Sequence, residues 1–258
     1  MNRLYLSTRK GTYLSIKPSY NRSLSIAARM SLGNVEYATK VESYAETHLI
    51  PTEPGLVHAH ENTVESEIAL TPTQGKFFSL LGTMSSARNV LEIGTLGGYS
   101  SIWFSKAVRE RKGKVTTIEI DSDRHKNAIK NLQLAGVKVP DEVEVLLGAA
   151  LDILPKVEAE IERGDRERFD FVFIDADWMN KWKYFDYGVN LSKGKGSVIC
   201  VDNTVQALFY TGTMGADLRQ KGIVPLIEKV GEDGRVDAVL MQTVGKKGHD
   251  GFLMAVVK

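Results

Sequence analysis

Short apolar runs alternate with helix-like patterns over most of the chain. From residue 90 onward, each run rich in valine, isoleucine or phenylalanine is followed by a longer amphipathic stretch. Continuous apolar runs separated by helices are typical of a parallel sheet covered by helices on both faces. The pattern predicts strands at 90–93, 114–119, 143–147, 169–174 and 196–202, and helices at 99–110, 122–135, 151–162 and 181–191.

Two further patterns flank this alternating region. Upstream, apolar residues recur at helical spacing from Asn34 to Leu49, and Thr71 with Gln74 forms the capping box of another helix. Downstream, Val236–Thr243 and Phe252–Val257 are close in sequence, which predicts an antiparallel hairpin at the sheet edge. The predicted fold class is therefore α/β, a doubly wound, mostly parallel seven-stranded sheet with a C-terminal antiparallel hairpin.

We assign residues 29–258 to one domain and residues 1–28 to a basic N-terminal extension. Residues 1–35 contain six lysines and arginines and no acidic residue. This composition is typical of mitochondrial targeting segments, and it fits an uncleaved basic tail equally well. We therefore expect an intracellular protein, cytoplasmic or alternatively mitochondrial.

The overall composition is that of an ordinary globular protein. The 258 residues are 43% apolar, and the formal net charge is +1, which gives no general attraction to nucleic acid or anionic membranes. No apolar stretch approaches the roughly 20 residues that span a bilayer. The single cysteine, Cys200, lies in an apolar run, and we expect a buried, inert thiol. A small-molecule partner is favoured over nucleic acid or a membrane.

A glycine-rich turn follows the first predicted strand of the sheet. Gly94, Gly97 and Gly98 allow a ligand to approach the backbone, and Glu119 ends the next strand, where it can hold ribose hydroxyls. This layout occurs in NAD-dependent oxidoreductases, which remain an alternative. The spacing is not Gly-x-Gly-x-x-Gly, however, and Glu92 precedes the turn. Both features favour S-adenosylmethionine as the cofactor.

Polar residues also follow the fourth and fifth predicted strands. Asp175 ends one strand, and Asp202 and Asn203 end the next. Because the carboxyl ends of parallel strands share one edge of the sheet, these side chains should converge. A single such aspartate often only caps a helix, but this set of oxygen donors suits a divalent cation such as Mg²⁺.

The chain resembles the metal-dependent O-methyltransferases, the family of catechol and caffeoyl-CoA O-methyltransferases. The resemblance runs from about Asn34 to Lys258. Its motifs, which are specific by their order and spacing, are Leu91-Glu92-Ile93-Gly94, Gly98-Tyr99-Ser100, Ile118-Glu119, Gly148-Ala149-Ala150-Leu151, Ile174-Asp175-Ala176-Asp177, Asp202-Asn203-Thr204 and Asp250-Gly251-Phe252.

The resemblance implies a role for each matching residue. It places the methionine end of S-adenosylmethionine beside Glu92, Gly94, Thr95 and Ser100, and the ribose beside Glu119. Ala150 and Asp177 line the rest of the cofactor site, and Leu70 touches the cofactor through its backbone. The metal ligands are Asp175, which is also catalytic, Asp202 and Asn203.

One departure from the family pattern concerns the general base. The family carries a lysine directly after Asp-Ala-Asp, where this chain has Trp178. We consider Lys181 as the catalytic replacement, with Lys183 as another candidate. Trp178 forms either an aromatic wall for a flat substrate or part of the packing of a helix start. Gln206 lies three residues beyond Asn203, within reach of the acceptor.

The acceptor is the least determined part of this interpretation. The region after Asn203 carries no basic cluster of the kind that coenzyme A phosphates favour, so we expect a small catechol-like phenol. A methyltransferase fold that has lost its activity remains an alternative because of Trp178. A homodimer and a monomer are both compatible with the sequence.

Overall fold

A computed structural model describes residues 35–210 and 223–258, and the side chains of residues 209 and 210 are not described. The predicted N-terminal extension, residues 1–28, lies outside the described residues. No helix in the described parts of the chain is long and apolar enough to cross a membrane.

Helices and strands alternate as the sequence predicts. The helices are α1 Val35–Leu49, α2 Pro54–Glu61, α3 Pro72–Met84, α4 Tyr99–Val108, α5 Ser122–Leu134, α6 Ala150–Arg163, α7 Lys181–Leu191, α8 Thr204–Tyr210 and α9 Leu226–Glu232. The strands are β1 Asn89–Ile93, β2 Lys114–Glu119, β3 Val143–Leu147, β4 Phe171–Ile174, β5 Val198–Val201, β6 Val236–Gly245 and β7 Gly248–Val257. Short 3-10 turns lie at Ser66–Ile68 and Arg109–Arg111.

The seven strands form one sheet in the order β3-β2-β1-β4-β5-β7-β6. β1 to β5 pair in parallel, β7 runs antiparallel to β5, and β6 runs antiparallel to β7. The predicted fold class is confirmed. The order reverses between β1 and β4, and in such sheets ligands bind beyond the carboxyl ends of the strands at this switch point.

Alternate residues of each central strand face opposite layers of helices. In β4, Phe171 and Phe173 pack with α3 and α4, whereas Val172 and Ile174 pack with α6 and α7. Cys200 is fully buried in the first layer, and its burial raises the pKa of the thiol. The predicted buried thiol is therefore present.

Local signals define two element boundaries. The Thr71 hydroxyl accepts a hydrogen bond from the Gln74 N–H (3.3 Å), and the Gln74 side chain accepts one from the Thr71 N–H (2.9 Å), so the predicted capping box starts α3. The terminal hairpin is longer than predicted. β6 and β7 continue to Gly245 and Gly248, which pair with each other and leave a two-residue turn.

Candidate active site

The glycine turn after β1 lies directly against the end of β4. Gly94 has a φ of +98°, and a Cβ at this position would lie 1.9 Å from the carbonyl oxygen of Asp175. Four residues on, Gly98 has a φ of +77° at the start of α4. Glycine is required because the backbone is left-handed at both positions and no side chain fits at the first.

Glu119, at the end of β2, holds this turn in place. Its Oε2 accepts hydrogen bonds from the main-chain N–H groups of Leu96 (2.8 Å) and Thr95 (3.3 Å). Its Oε1 accepts one from the N–H of Asp121 (3.0 Å). The carboxylate thus links the glycine turn to the start of α5, at the edge of the sheet where a ligand would bind.

Glu92 lies behind the turn rather than in front of it. Its side chain is fully buried in β1 and accepts a hydrogen bond from the Ser101 hydroxyl, and its Oε1 has no partner among the described residues. Burial raises the pKa of Glu92 to about 7, although nearby serine and threonine hydroxyls favour the charged form. Glu92 therefore links β1 to α4 in the core.

Asp175 and Asp202 are neighbours at the carboxyl edge of the sheet. Their strands pair in parallel with Ile174 opposite Val201, so the residues that follow are adjacent as well. We call Asp175 and Asp202 the carboxylate pair. Burial and the charge of Asp175 raise the pKa of Asp202 to about 8. Burial also raises the pKa of Asp175, opposed by the nearby charges of Lys181 and Lys247.

Asn203 is held by a residue from the terminal hairpin. Its backbone is left-handed (φ +50°), and its Nδ2 donates to Asp250 Oδ2 over 2.9 Å. The Oδ1 of Asp250 accepts a hydrogen bond from the main-chain N–H of Gln206 (2.9 Å). Since a carboxylate only accepts, the amide nitrogen of Asn203 must face Asp250, and its Oδ1 is left for another partner.

Two lysines bring positive charge to the carboxylate pair from different sides. Lys181 begins α7, is 3% exposed, and donates from its Nζ to the main-chain oxygen of Asp202. Lys247 lies in the hairpin turn and donates to the main-chain oxygen of Ala69. Burial lowers the pKa of both lysines, and the surrounding carboxylates oppose this shift.

Asp177 organises the loop between β4 and α7. Its Oδ2 accepts from the Tyr184 hydroxyl (2.5 Å), and its Oδ1 accepts from the Asn180 main-chain and side-chain N–H groups (3.1 and 3.0 Å). The hydrogen bonds fix the loop that carries Trp178.

These residues surround one large cavity of about 1630 Å³. This volume exceeds the roughly 300–1,000 Å³ of a typical ligand pocket, so it has room for a cofactor and an acceptor together. Beyond the sheet edge, the wall is largely apolar and comes from α1, α3 and the hairpin, with Val41, Phe77, Met241, Phe252 and Met254 among its residues.

Most of the residues predicted for the site line this cavity. Those in the wall are Leu70, Gly94, Thr95, Ser100, Glu119, Ala150, Asp175, Asp177, Trp178, Asp202, Asn203 and Gln206. Glu92 and Lys181 are buried and do not line the cavity. Glu92 is hydrogen-bonded to Ser101, and Lys181 to the main chain of Asp202. The roles of the individual residues stay predictions.

Asp250, Lys247 and Tyr184 also contribute to the site, and no local pattern predicted a role for them. Asp250 belongs to a motif that was used only for the resemblance, and its position beside Asn203 depends on the hairpin folding back along β5. Within the described residues, no cluster of three or more His, Cys, Asp or Glu side chains is arranged to hold a metal ion. The candidate set of Asp175, Asp202 and Asn203 contains only two such side chains.

Comparison with known proteins identifies the family. A model of the O-methyltransferase family matches residues 42–255. The chain is 41% identical over 227 residues to the O-methyltransferase imqG of Aspergillus flavus, covering 84% of this chain and 90% of that protein. It is 38% identical over 224 residues to a catechol O-methyltransferase of Mycobacterium tuberculosis, covering 84% and 95% of the two chains.

A solved relative carries the cofactor expected from the glycine turn. The O-methyltransferase TomG of Streptomyces achromogenes, in complex with SAM, superposes with a TM-score of 0.78 at 34% identity, covering 88% of this chain and all of that one (100%). The match does not favour the alternative of an NAD-dependent oxidoreductase. The chain therefore belongs to the O-methyltransferase family and is an S-adenosylmethionine-dependent enzyme with the class I methyltransferase fold.

Proposed function

We propose that this enzyme transfers the methyl group of S-adenosylmethionine to one hydroxyl of a catechol-like phenol, assisted by a divalent cation such as Mg²⁺. The observation that carries this proposal is the parallel register of β4 and β5, which puts the partly buried Asp175 and the buried Asp202 side by side in the cavity wall. The name of the M. tuberculosis relative, a catechol O-methyltransferase, supports the acceptor class.

The donor atoms at the carboxylate edge fit a hard cation. Asp175 and Asp202 supply carboxylate oxygens, and the hydrogen bond from Asn203 to Asp250 leaves an amide oxygen available. Burial of Asp202 and the neighbouring charge of Asp175 both raise the pKa of Asp202, and a divalent ion would offset these costs. A bound cation would supply positive charge that lowers the pKa of an acceptor hydroxyl.

The residues of the chain itself then have three tasks. Glu119 and the glycine turn hold the methyl donor, and Asp175 and Asp202 hold the acceptor end of the site. The apolar wall from α1, α3 and the hairpin excludes water and packs against an aromatic ring. In the reaction, the O–CH₃ bond forms as the S–CH₃ bond breaks, so the geometry of oxygen, carbon and sulfur is what the site must fix.

The position of Lys181 bears on which group accepts the proton of the acceptor hydroxyl. Its ammonium lies against the main chain of Asp202 and outside the cavity wall. A direct role as general base stays a prediction, and this position favours an indirect one. Trp178 lines the cavity at the position where the family has a lysine, and we propose that it contacts a flat acceptor.

Methyl transfer from labelled S-adenosylmethionine tests the proposal. The acceptors are catechol, resorcinol and phenol, each measured with Mg²⁺ and with excess chelator. We expect transfer to catechol only, and loss of this transfer with the chelator. Equal transfer with and without the chelator would contradict the role of the metal. Equal rates with all three phenols would contradict the preference for a catechol-like acceptor.

Two variants assign the effect to the site. Asp202→Asn should lower the rate at least 100-fold with little change in binding of S-adenosylhomocysteine. Asp237→Asn, an exposed position on β6, is the matched control and should behave like the wild type.

A further inference from the structure

The side chain of Lys181 is buried and has few hydrogen-bonding or charged partners in direct contact. The residue is 3% exposed, and among the described residues its ammonium has one hydrogen-bond acceptor, the main-chain oxygen of Asp202, and no direct ion pair. An ammonium has three donors, and burying it without a balancing charge is strongly unfavourable. Burial therefore lowers the pKa of Lys181, and nearby negative charge opposes this shift.

The helix that carries Lys181 does not provide that charge. Lys181 is the first residue of α7, where the helix dipole is positive and disfavours a cation. The charges that favour the ammonium are carboxylates, first Asp175 and Asp202, then Asp250 and Asp177. The carboxylate pair is therefore the main partner of Lys181, through space rather than through a direct contact.

Lys181 does not contact the interior of the main cavity. Lys181 lies outside the wall and borders a separate small cleft with Thr204, Ala207 and Leu226. An acceptor or cofactor in the main cavity therefore does not touch it. Its effect on ligands there is electrostatic, exerted on Asp175 and Asp202.

We propose that Lys181 is a counter-cation of the carboxylate pair, which offsets part of the negative charge of Asp175 and Asp202 and weakens the binding of a divalent ion to them. The inference rests on the metal site of the proposed function. The charge of Lys181 adds to that of Lys247 beside the pair, so an incoming cation meets less net negative charge than two carboxylates alone would present. Lys181 is thus a positioning residue that sets metal affinity.

Metal affinity measured directly tests this inference. Mn²⁺ binding to the S-adenosylhomocysteine complex is followed by electron paramagnetic resonance, and Mg²⁺ binding by competition. We expect Lys181→Met to bind both ions on the order of tenfold or more tightly, because the repelling charge is gone and the side-chain length is kept. Lys181→Arg keeps the charge and should stay near the wild-type affinity.

Lys156→Met is the matched control, since Lys156 is exposed on α6 and carries the same charge. It should leave the metal affinity within about twofold of the wild type, as expected for an exposed, solvent-screened charge. Melting temperature and binding of S-adenosylhomocysteine show whether each variant is folded. If Lys181→Met does not fold, Lys181→Gln carries the same comparison.

Three results would overturn the inference. Unchanged affinity in Lys181→Met means that the lysine charge does not reach the metal site, and weaker binding means that Lys181 acts as a ligand or a structural support. If none of the proteins binds a metal ion, the inference is wrong, and so is the metal part of the proposed function. In that last case, chelator-resistant methyl transfer to a phenol would leave the O-methyltransferase reaction itself intact.

Discussion

The side-chain amide of Asn203 donates a hydrogen bond to Asp250 over 2.9 Å, which joins the end of β5 to the terminal hairpin. The other carboxylate oxygen of Asp250 accepts from the backbone of Gln206 at the same distance. A single acid from the hairpin therefore fixes both the orientation of a predicted metal ligand and the start of α8.

Replacing Asp250 should slow the reaction without weakening the binding of the methyl donor. We expect Asp250→Ala to lower kcat/KM about 10–100-fold, the usual effect of losing a partner that orients a metal ligand. Binding of S-adenosylhomocysteine, measured by calorimetry, should change by less than about threefold, because Asp250 is outside the glycine turn. Asp237→Ala on β6 is the control, and equal rates for the two variants would refute the role of Asp250.

Glu119 should determine affinity for the methyl donor. The carboxylate braces the Thr95 and Leu96 N–H groups and is predicted to hold the ribose. Replacing it by glutamine substitutes a donor for one of two acceptor oxygens, so we expect S-adenosylhomocysteine to bind about tenfold more weakly, a change of about 1.4 kcal/mol. Glu110→Gln, at an exposed position, should bind normally. Unchanged affinity in Glu119→Gln would place the ribose elsewhere.

The close approach of the glycine turn to β4 predicts a difference between two glycine substitutions. Gly164→Ala introduces a side chain at positive φ with open space around it, and should cost about 1–2 kcal/mol of unfolding free energy. Gly94→Ala adds a clash with the Asp175 carbonyl oxygen, and should cost about 3 kcal/mol or more, or prevent folding. Urea denaturation measures both, and similar losses would mean that the turn has room to shift.

The buried carboxyl of Glu92 should make stability depend on pH. Its pKa rises from 4.5 to about 7 on folding, so between these values the folded protein holds a proton that the unfolded chain has released. The contribution of Glu92 to stability is therefore full below pH 4.5 and is lost as the pH rises towards 7. Relative to Glu92→Gln, the unfolding free energy of the wild type should fall by about 1.4 kcal/mol for each pH unit over this range.

Urea denaturation of both proteins at pH 5, 6 and 7 measures this difference, and all other titrating groups cancel in the comparison. A constant difference between wild type and Glu92→Gln would show that Glu92 does not change its protonation on folding.

Local patterns in the sequence were sufficient for most elements of the fold, although α2, α8 and α9 were not predicted. The capping box of Thr71 and Gln74 depends only on residues three apart, and the strands depend on apolar runs that would be buried on both faces of any parallel sheet. The convergence of Asp175 and Asp202 also follows from sequence, since the ends of parallel strands meet at one edge.

The sequence by itself thus determined the order of elements, the glycine turn and the residues at the strand ends. Only the tertiary structure decided that Glu92 and Lys181 are buried away from the cavity, and that Asp250 reaches Asn203. These outcomes depend on contacts between residues distant in the chain, and the direction of a side chain at a loop or helix end follows from packing that no local pattern encodes.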